Sequence, residues 1–148
     1  MLDPALELVL RGALALLLGT GAVQKARDLA SFRAAIEGYE LLPARAATIA
    51  ACAFTGLEAA LGLALVVPLG LGLRGLALGA VALLFTLYGT AIAINLARGR
   101  RTLECGCAPS AYRQPLSEWL LVRNLALIGV AALTLLPVSS RAWRGWIG

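Results

Sequence analysis

Residues 73–97 read LRGLALGAVALLFTLYGTAIAINLA, with the only charge, Arg74, at the start. About 20 mostly apolar residues are enough to cross a bilayer as a helix, so this run is long enough to do so. Three more runs resemble it. One extends from about Pro4, a favourable first-turn residue, to about residue 24 and includes the uninterrupted apolar stretch Gly12–Val23. Another begins at Ala44, just after Pro43, and ends near Val67. The last runs from about Ser117 to Leu136 and is stopped by Pro137. The expected fold is all-α: an integral membrane four-helix bundle in one domain, 1–148, with helices near 4–24, 44–67, 73–97 and 117–137. A loop over 98–116 joins the last two.

Composition agrees with this reading. Of 148 residues, 60% are hydrophobic and 14% charged, against roughly a quarter charged in soluble domains, and mean hydropathy is +0.84. Four spans leave only short connections, with no room for a soluble domain. The first run lacks a basic leader and ends at Gln24-Lys25 rather than at a small-residue cleavage site, so it reads as a retained anchor. The net charge of +5 comes from 13 basic and 8 acidic residues. The basic residues gather at the ends of the apolar runs, which points to membrane orientation and away from nucleic acid. Histidine is absent, which excludes His-ligated metal sites and His-based catalytic dyads and triads.

Between the first two spans, Leu29, Phe32, Ile36 and Tyr39 recur at helical spacing, with Arg33, Glu37 and Glu40 opposite. This is a short amphipathic interfacial helix with Asp28 as its N-cap. Trp143 and Trp146 beside Arg141 and Arg144 form an expected interfacial anchor. Gly75/Gly79 and Gly56/Ala60 are small-xxx-small pairs that permit close helix packing, and the Gly75/Gly79 face permits a homodimer.

Cys105-Gly-Cys107 in the 98–116 loop carries the chemistry. A structural staple across so small a ring would constrain almost nothing. A soft-metal thiolate site is short of ligands, since only Cys52 could add sulfur. A redox pair fits best. Its ring is strained and easily reduced, and Arg98, Arg100, Arg101 and Arg113 would lower a thiol pKa, as would the helix start near Ser117. Incidental cysteines remain a fourth reading. Inside the membrane, Glu58 sits mid-span, and its expected partner is Arg11. That group reads either as a bundle-stabilising pair or protonated acid, or as a proton-handling group. Glu7 and Arg11, four apart, are expected to pair. Asn95, Arg123 and Asn124 are expected at the loop end of the bundle, with Arg123 reaching towards the loop. Cys52 reads either as a third relay thiol or as a small buried residue.

These motifs resemble the MauE family of methylamine utilisation proteins, within a DoxX-like group of four-helix membrane proteins. The resemblance rests on Lys25-Ala-Arg27-Asp28, Phe32, Tyr39-Glu-Leu-Leu-Pro43, Glu58-Ala-Ala-Leu-Gly62, Asn95-Leu-Ala-Arg98-Gly-Arg100, Cys105-Gly-Cys107 and Arg123-Asn124. The family's Cys-Gly-Cys is typically followed by Phe-Gly, where this chain has Ala108-Pro109. The resemblance implies a component of disulfide formation or thiol transfer in the cell (inner) membrane, working with a thioredoxin-like partner. A quinone is the membrane electron carrier that suits such chemistry, though no motif encodes one. Two other functions are carried forward: a non-catalytic assembly factor that docks a redox partner, and a soft-metal carrier. The implied role puts the Cys-Gly-Cys loop outside the cytoplasm. The charge count puts it inside, with eight basic residues on the loop side and four on the other.

Overall fold

The computed structural model describes residues 3–68, 70–103 and 115–136. Cys105, Cys107, Arg113, Pro137 and the expected anchor around Trp143 and Trp146 lie outside the described residues. Five helices follow one another: α1 Pro4–Arg27, α2 Leu29–Gly38, α3 Ala44–Val66, α4 Leu71–Ala97 and α5 Glu118–Leu133. Among the described residues every regular element of more than one residue is a helix. α1, α3 and residues 72–97 of α4 are long and apolar enough to cross a membrane. α5 has 16 residues, about 24 Å of helix. The four-helix bundle with a short interfacial helix between its first two members is therefore the observed architecture.

The helix ends follow local chemistry. The Asp3 carboxylate caps α1 by accepting from the N–H groups of Ala5 and Leu6. α1 runs past residue 24 because Gln24-Lys25-Ala26-Arg27 are good helix formers, with nothing to break the turn. Asp28 then ends one helix and starts the next. Its N–H donates to the Gln24 carbonyl, and its carboxylate accepts from Ser31 N–H at 3.1 Å. α5 stops at Leu133, earlier than expected, because Leu135 and Leu136 bond back three residues, tightening the chain ahead of Pro137.

α1 packs on α3 and α4 on α5, while α2 lies on α3. Leu14, Leu18, Leu65, Leu78, Val81 and Leu84 fill the centre. The outside is also apolar, with Leu16, Leu63, Leu76, Leu83 and Leu125 mostly exposed. An apolar core inside an apolar exterior suits lipid and not water. The hydroxyls of Thr20, Thr55 and Thr86 donate to carbonyls four residues back in their own helices, so they present no unmet polar group to lipid. The chain is a multi-pass membrane protein.

The expected small-residue contacts fall elsewhere. A Cβ at Gly56 or Gly79 would meet nothing within 4 Å, and one at Gly75 would only graze Leu135. The close crossing is at Gly62, where a Cβ would stand 3.3 Å from the Ala15 carbonyl oxygen and the Gly19 nitrogen. Both of those are backbone and cannot swing aside. Gly62→Ala is expected to destabilise the purified protein by about 1–3 kcal/mol, as overpacking does. Gly56→Ala is expected to be neutral or slightly stabilising. Thermal unfolding of the two variants in one detergent checks the contrast.

Candidate functional site

The described part of the 98–116 loop is its base. α4 ends on Gly99, whose φ of 74° a side chain would resist. Gly99 N–H bonds the Leu96 carbonyl and Arg100 N–H bonds the Asn95 carbonyl, the two bonds of a Schellman termination. This turn sends Arg100 back to the end of α2, where its guanidinium pairs with Glu40 and donates to the Gly38 carbonyl. Arg101 pairs with Glu118 in the first turn of α5 at 2.6 Å. Leu116 N–H donates to the Leu103 carbonyl at 3.0 Å, bringing the two arms of the loop together. Leu103 and Leu116 join Ile92, Leu120 and Tyr39 in a small apolar cluster beneath.

Two of the arginines expected near the cysteines are paired with carboxylates. Arg100 and Arg101 are neutralised in this way, so they staple the loop base. Among the described residues Arg98 makes no ion pair, and it acts on Glu40 only at a distance. The hydrogen bond and charge of Arg100, helped by Arg98, hold the Glu40 carboxyl below its ordinary value near 4.5. The folded value lies below the unfolded one, so this stabilisation is present at neutral pH. It is lost as pH falls below about 4.5 and through the lowered folded value. Amide-exchange protection of residues 99–103, corrected for intrinsic rates, is expected to drop over that interval. In Arg100→Gln the protection should start lower and keep only the smaller pH dependence supplied by the Arg101–Glu118 pair.

Below the loop base lies a buried charge. Glu58 on α3 is 3% exposed and Lys25 on α1 is 7% exposed, with Nζ and Oε1 2.5 Å apart. Tyr88 on α4 donates its hydroxyl to the same Oε1 at 2.7 Å. The Lys25 ammonium also stands 5.1 Å from the ring centres of Phe32 and Tyr88. Four helices thus converge on one ion pair. The other carboxylate oxygen, Oε2, accepts no hydrogen bond and lies against Gly21, where a Cβ would come within 3.2 Å.

The expected Arg11–Glu58 pair is not formed. Glu58 stands level with Gly21 of α1, and Arg11 is ten residues, about 15 Å, further along. Lys25, one turn from Gly21, reaches back because helical side chains lean towards the N-terminus. Arg11 instead joins Arg74 around the buried Glu7, at 3.7 and 3.5 Å, at the opposite end of the bundle. The Glu7–Arg11 pair is therefore present, shared with α4.

Asn95 and Asn124 are both fully buried. Each donates its amide to the carbonyl four residues back, and each amide oxygen accepts no hydrogen bond. Asn124 packs against Gly89, so it lies about six residues, or 9 Å, deeper than Asn95. Half-buried Arg123 has an Nε with no hydrogen-bond partner. These three share the loop half of α4 and α5 but do not form one cluster. Cys52 is exposed and free, which corrects the expectation of a small buried side chain. It lies six residues from Glu58, about 240° around α3, so it faces away from the ion pair.

A pocket of about 190 Å³ opens between α2 and the bundle. Phe32, Ile36 and Tyr39 form one wall, Phe54, Leu87 and Ala91 the other, and Lys25 and Tyr88 supply its polar end. The residues that sequence reasoning missed are Lys25, Tyr88 and Gly21. The available signal was a lone mid-span carboxylate, which demands a cation within reach. Lys25 met that demand once α1 was allowed to run past Val23.

The family model "Methylamine utilisation protein MauE" matches residues 3–137. A methylamine utilization protein MauE of Paracoccus denitrificans is 35% identical over 88% of this chain and 69% of its own length. The protein of the same name from Methylorubrum extorquens is 37% identical over 95% of this chain and 75% of its own length. That from Methylophilus methylotrophus is 34% identical, with 87% and 67% covered. No solved structure matches. The match runs through all five helices and the loop base, and the chain belongs to the MauE family.

Proposed function

We propose that this protein is a membrane thiol–disulfide oxidoreductase whose Cys105 and Cys107 cycle between dithiol and disulfide. One observation carries the reading: two cysteines separated by a single glycine are strung between Leu103 and Leu116, whose backbones are hydrogen-bonded to each other. Chain length alone keeps Cys105 within about 7 Å of Leu103. The reactive residues are therefore tied to a base stapled to α2 by Arg100 and to α5 by Arg101. A thiolate of the pair attacks a disulfide of a thioredoxin-like partner, or is released from one, and the second cysteine resolves the mixed disulfide. The relatives' names tie them to methylamine utilisation, and we place this chain in a thiol-maturation step of that kind. The inner membrane, with the loop on the outer side where disulfides persist, is the setting that such a step requires.

The test is the redox midpoint of the pair, measured by thiol labelling in defined glutathione buffers. A midpoint within the range of thioredoxin-like proteins, roughly −120 to −270 mV, is expected. A pair that stays reduced across the whole buffer range overturns the proposal. Labelling of intact cells with an impermeant thiol reagent is expected to reach the loop. Protection of both cysteines after treatment with an impermeant reductant, relieved on lysis, would put the loop in the cytoplasm and remove the maturation role.

A further inference from the structure

We propose that the pocket between α2 and the bundle binds the ring of a membrane quinone, which takes the electron pair from the Cys105–Cys107 dithiol. This deepens the thiol–disulfide reading and rests on it. An enclosed apolar cavity of roughly 150 Å³ is enough to hold a benzene ring, and this pocket measures about 190 Å³. It has room for one substituted ring and not for a ring with a long chain. Leu41 and Leu42 line it and are substantially exposed, so an apolar tail can leave past them towards lipid.

The polar end sets the ligand's chemistry. Lys25 carries three N–H donors and spends one on Glu58. The Phe32 and Tyr88 rings beside it stabilise its charge through their faces, which supply no hydrogen-bond acceptor. A buried cation on a pocket wall with donors to spare calls for an acceptor oxygen, and a ring carbonyl is an apolar molecule's way of supplying one. A fatty acyl chain offers no oxygen at that depth. The position fits as well: Tyr39 and Ile92 line the pocket and also belong to the apolar cluster holding Leu103 and Leu116. The pocket and the base of the cysteine loop share a wall.

The step balances. Two S–H bonds break and one S–S bond forms. The two electrons and two protons released convert quinone to quinol, one proton on each oxygen. Lys25 lines the end of the pocket that one of those oxygens would face, so a hydrogen bond from the ammonium can strengthen as charge builds there.

The experiment uses the full chain in lipid nanodiscs, with the double variant Cys105→Ser/Cys107→Ser as the binding sample, so that binding is read without thiol chemistry. Decylubiquinone is the probe. Saturable binding is expected, weakened at least about tenfold by Ala91→Phe, which fills the pocket, and by Lys25→Met, which removes the donor. A photoreactive azidoquinone is expected to label peptides covering residues 32–42 and 87–92. Partition without saturation, or saturable binding that ignores Ala91→Phe while the variant remains folded, overturns the assignment. So does labelling confined to the outer faces of α3 and α4, the pattern of loose lipid contact. Saturable binding to a protein whose wild-type cysteines stay reduced would overturn the thiol reading and leave the pocket standing.

Discussion

Serine at Cys105 or at Cys107 is expected to lower thiol exchange with a thioredoxin-like disulfide by at least about a thousandfold. A hydroxyl at neutral pH is too weakly acidic to replace a thiolate as nucleophile or leaving group. The two single variants should differ in one respect. Loss of the resolving cysteine leaves the attacking one able to form a mixed disulfide that only the partner's own freed thiol can reverse, so that variant accumulates more covalent adduct with its partner. Loss of the attacking cysteine gives no adduct, and neither does the double variant. Non-reducing gels of the variants mixed with an oxidised thioredoxin-like protein read all three outcomes and identify the attacking residue. Full activity in the double variant would support the assembly-factor alternative, in which the loop docks a partner without reacting.

Glu58→Gln is expected to be among the most destabilising single substitutions in the chain. The change removes the negative member of a pair that is 3% and 7% exposed and leaves the Lys25 ammonium buried among Phe32, Tyr88 and apolar side chains. Breaking a buried pair this way costs about 3–5 kcal/mol, a fall of about 10 °C in thermal unfolding for a chain of this size. Lys25→Met should do comparable damage from the other side, stranding the carboxylate. Lys25→Met combined with Glu58→Leu should recover most of the loss, because apolar replacement of a whole buried pair is often neutral or stabilising. Tyr88→Phe removes one hydrogen bond to a charged oxygen and should cost about 1.5–3 kcal/mol. Thermal unfolding in detergent of the two singles and the double measures the coupling. Additive losses would mean that the pair is not coupled.

Much of the architecture was legible because a bilayer forces long apolar helices. The 73–97 run, Pro4 in a first turn, the Asp28 cap and the 3-4-3 spacing of residues 29–39 each carry a local signal that needs no knowledge of the fold. Partner choice was less legible. The depth of Glu58 along α3 could be counted, but its level against α1 depended on where α1 ends. Ending that helix near Val23 hid Lys25 among the interfacial charges. The pairing of Arg100 and Arg101 was hidden for a related reason. A run of arginines reads as positive in sequence, and only the fold brings Glu40 to Arg100 and Glu118 to Arg101. Gly56, Gly75 and Gly79 have the expected spacing, yet the tight crossing falls on Gly62 because the hairpin of α1 and α3 sets which faces meet.

The bond between Leu103 and Leu116 also bears on how a partner is captured. Twelve residues lie between them. Closing a flexible segment of that length costs on the order of 2 kcal/mol in chain entropy. Here the fold has already met that cost at the neck of the loop, with Arg100 and Arg101 as outriggers. A docking protein therefore meets a lariat whose noose is drawn beforehand, and less of its binding energy goes into gathering loose chain. Cutting the neck, for instance with proline at Leu116, which deletes the N–H, should leave the cysteines intact and their potential little changed. It should slow encounter with a large partner while sparing reaction with a small thiol such as glutathione.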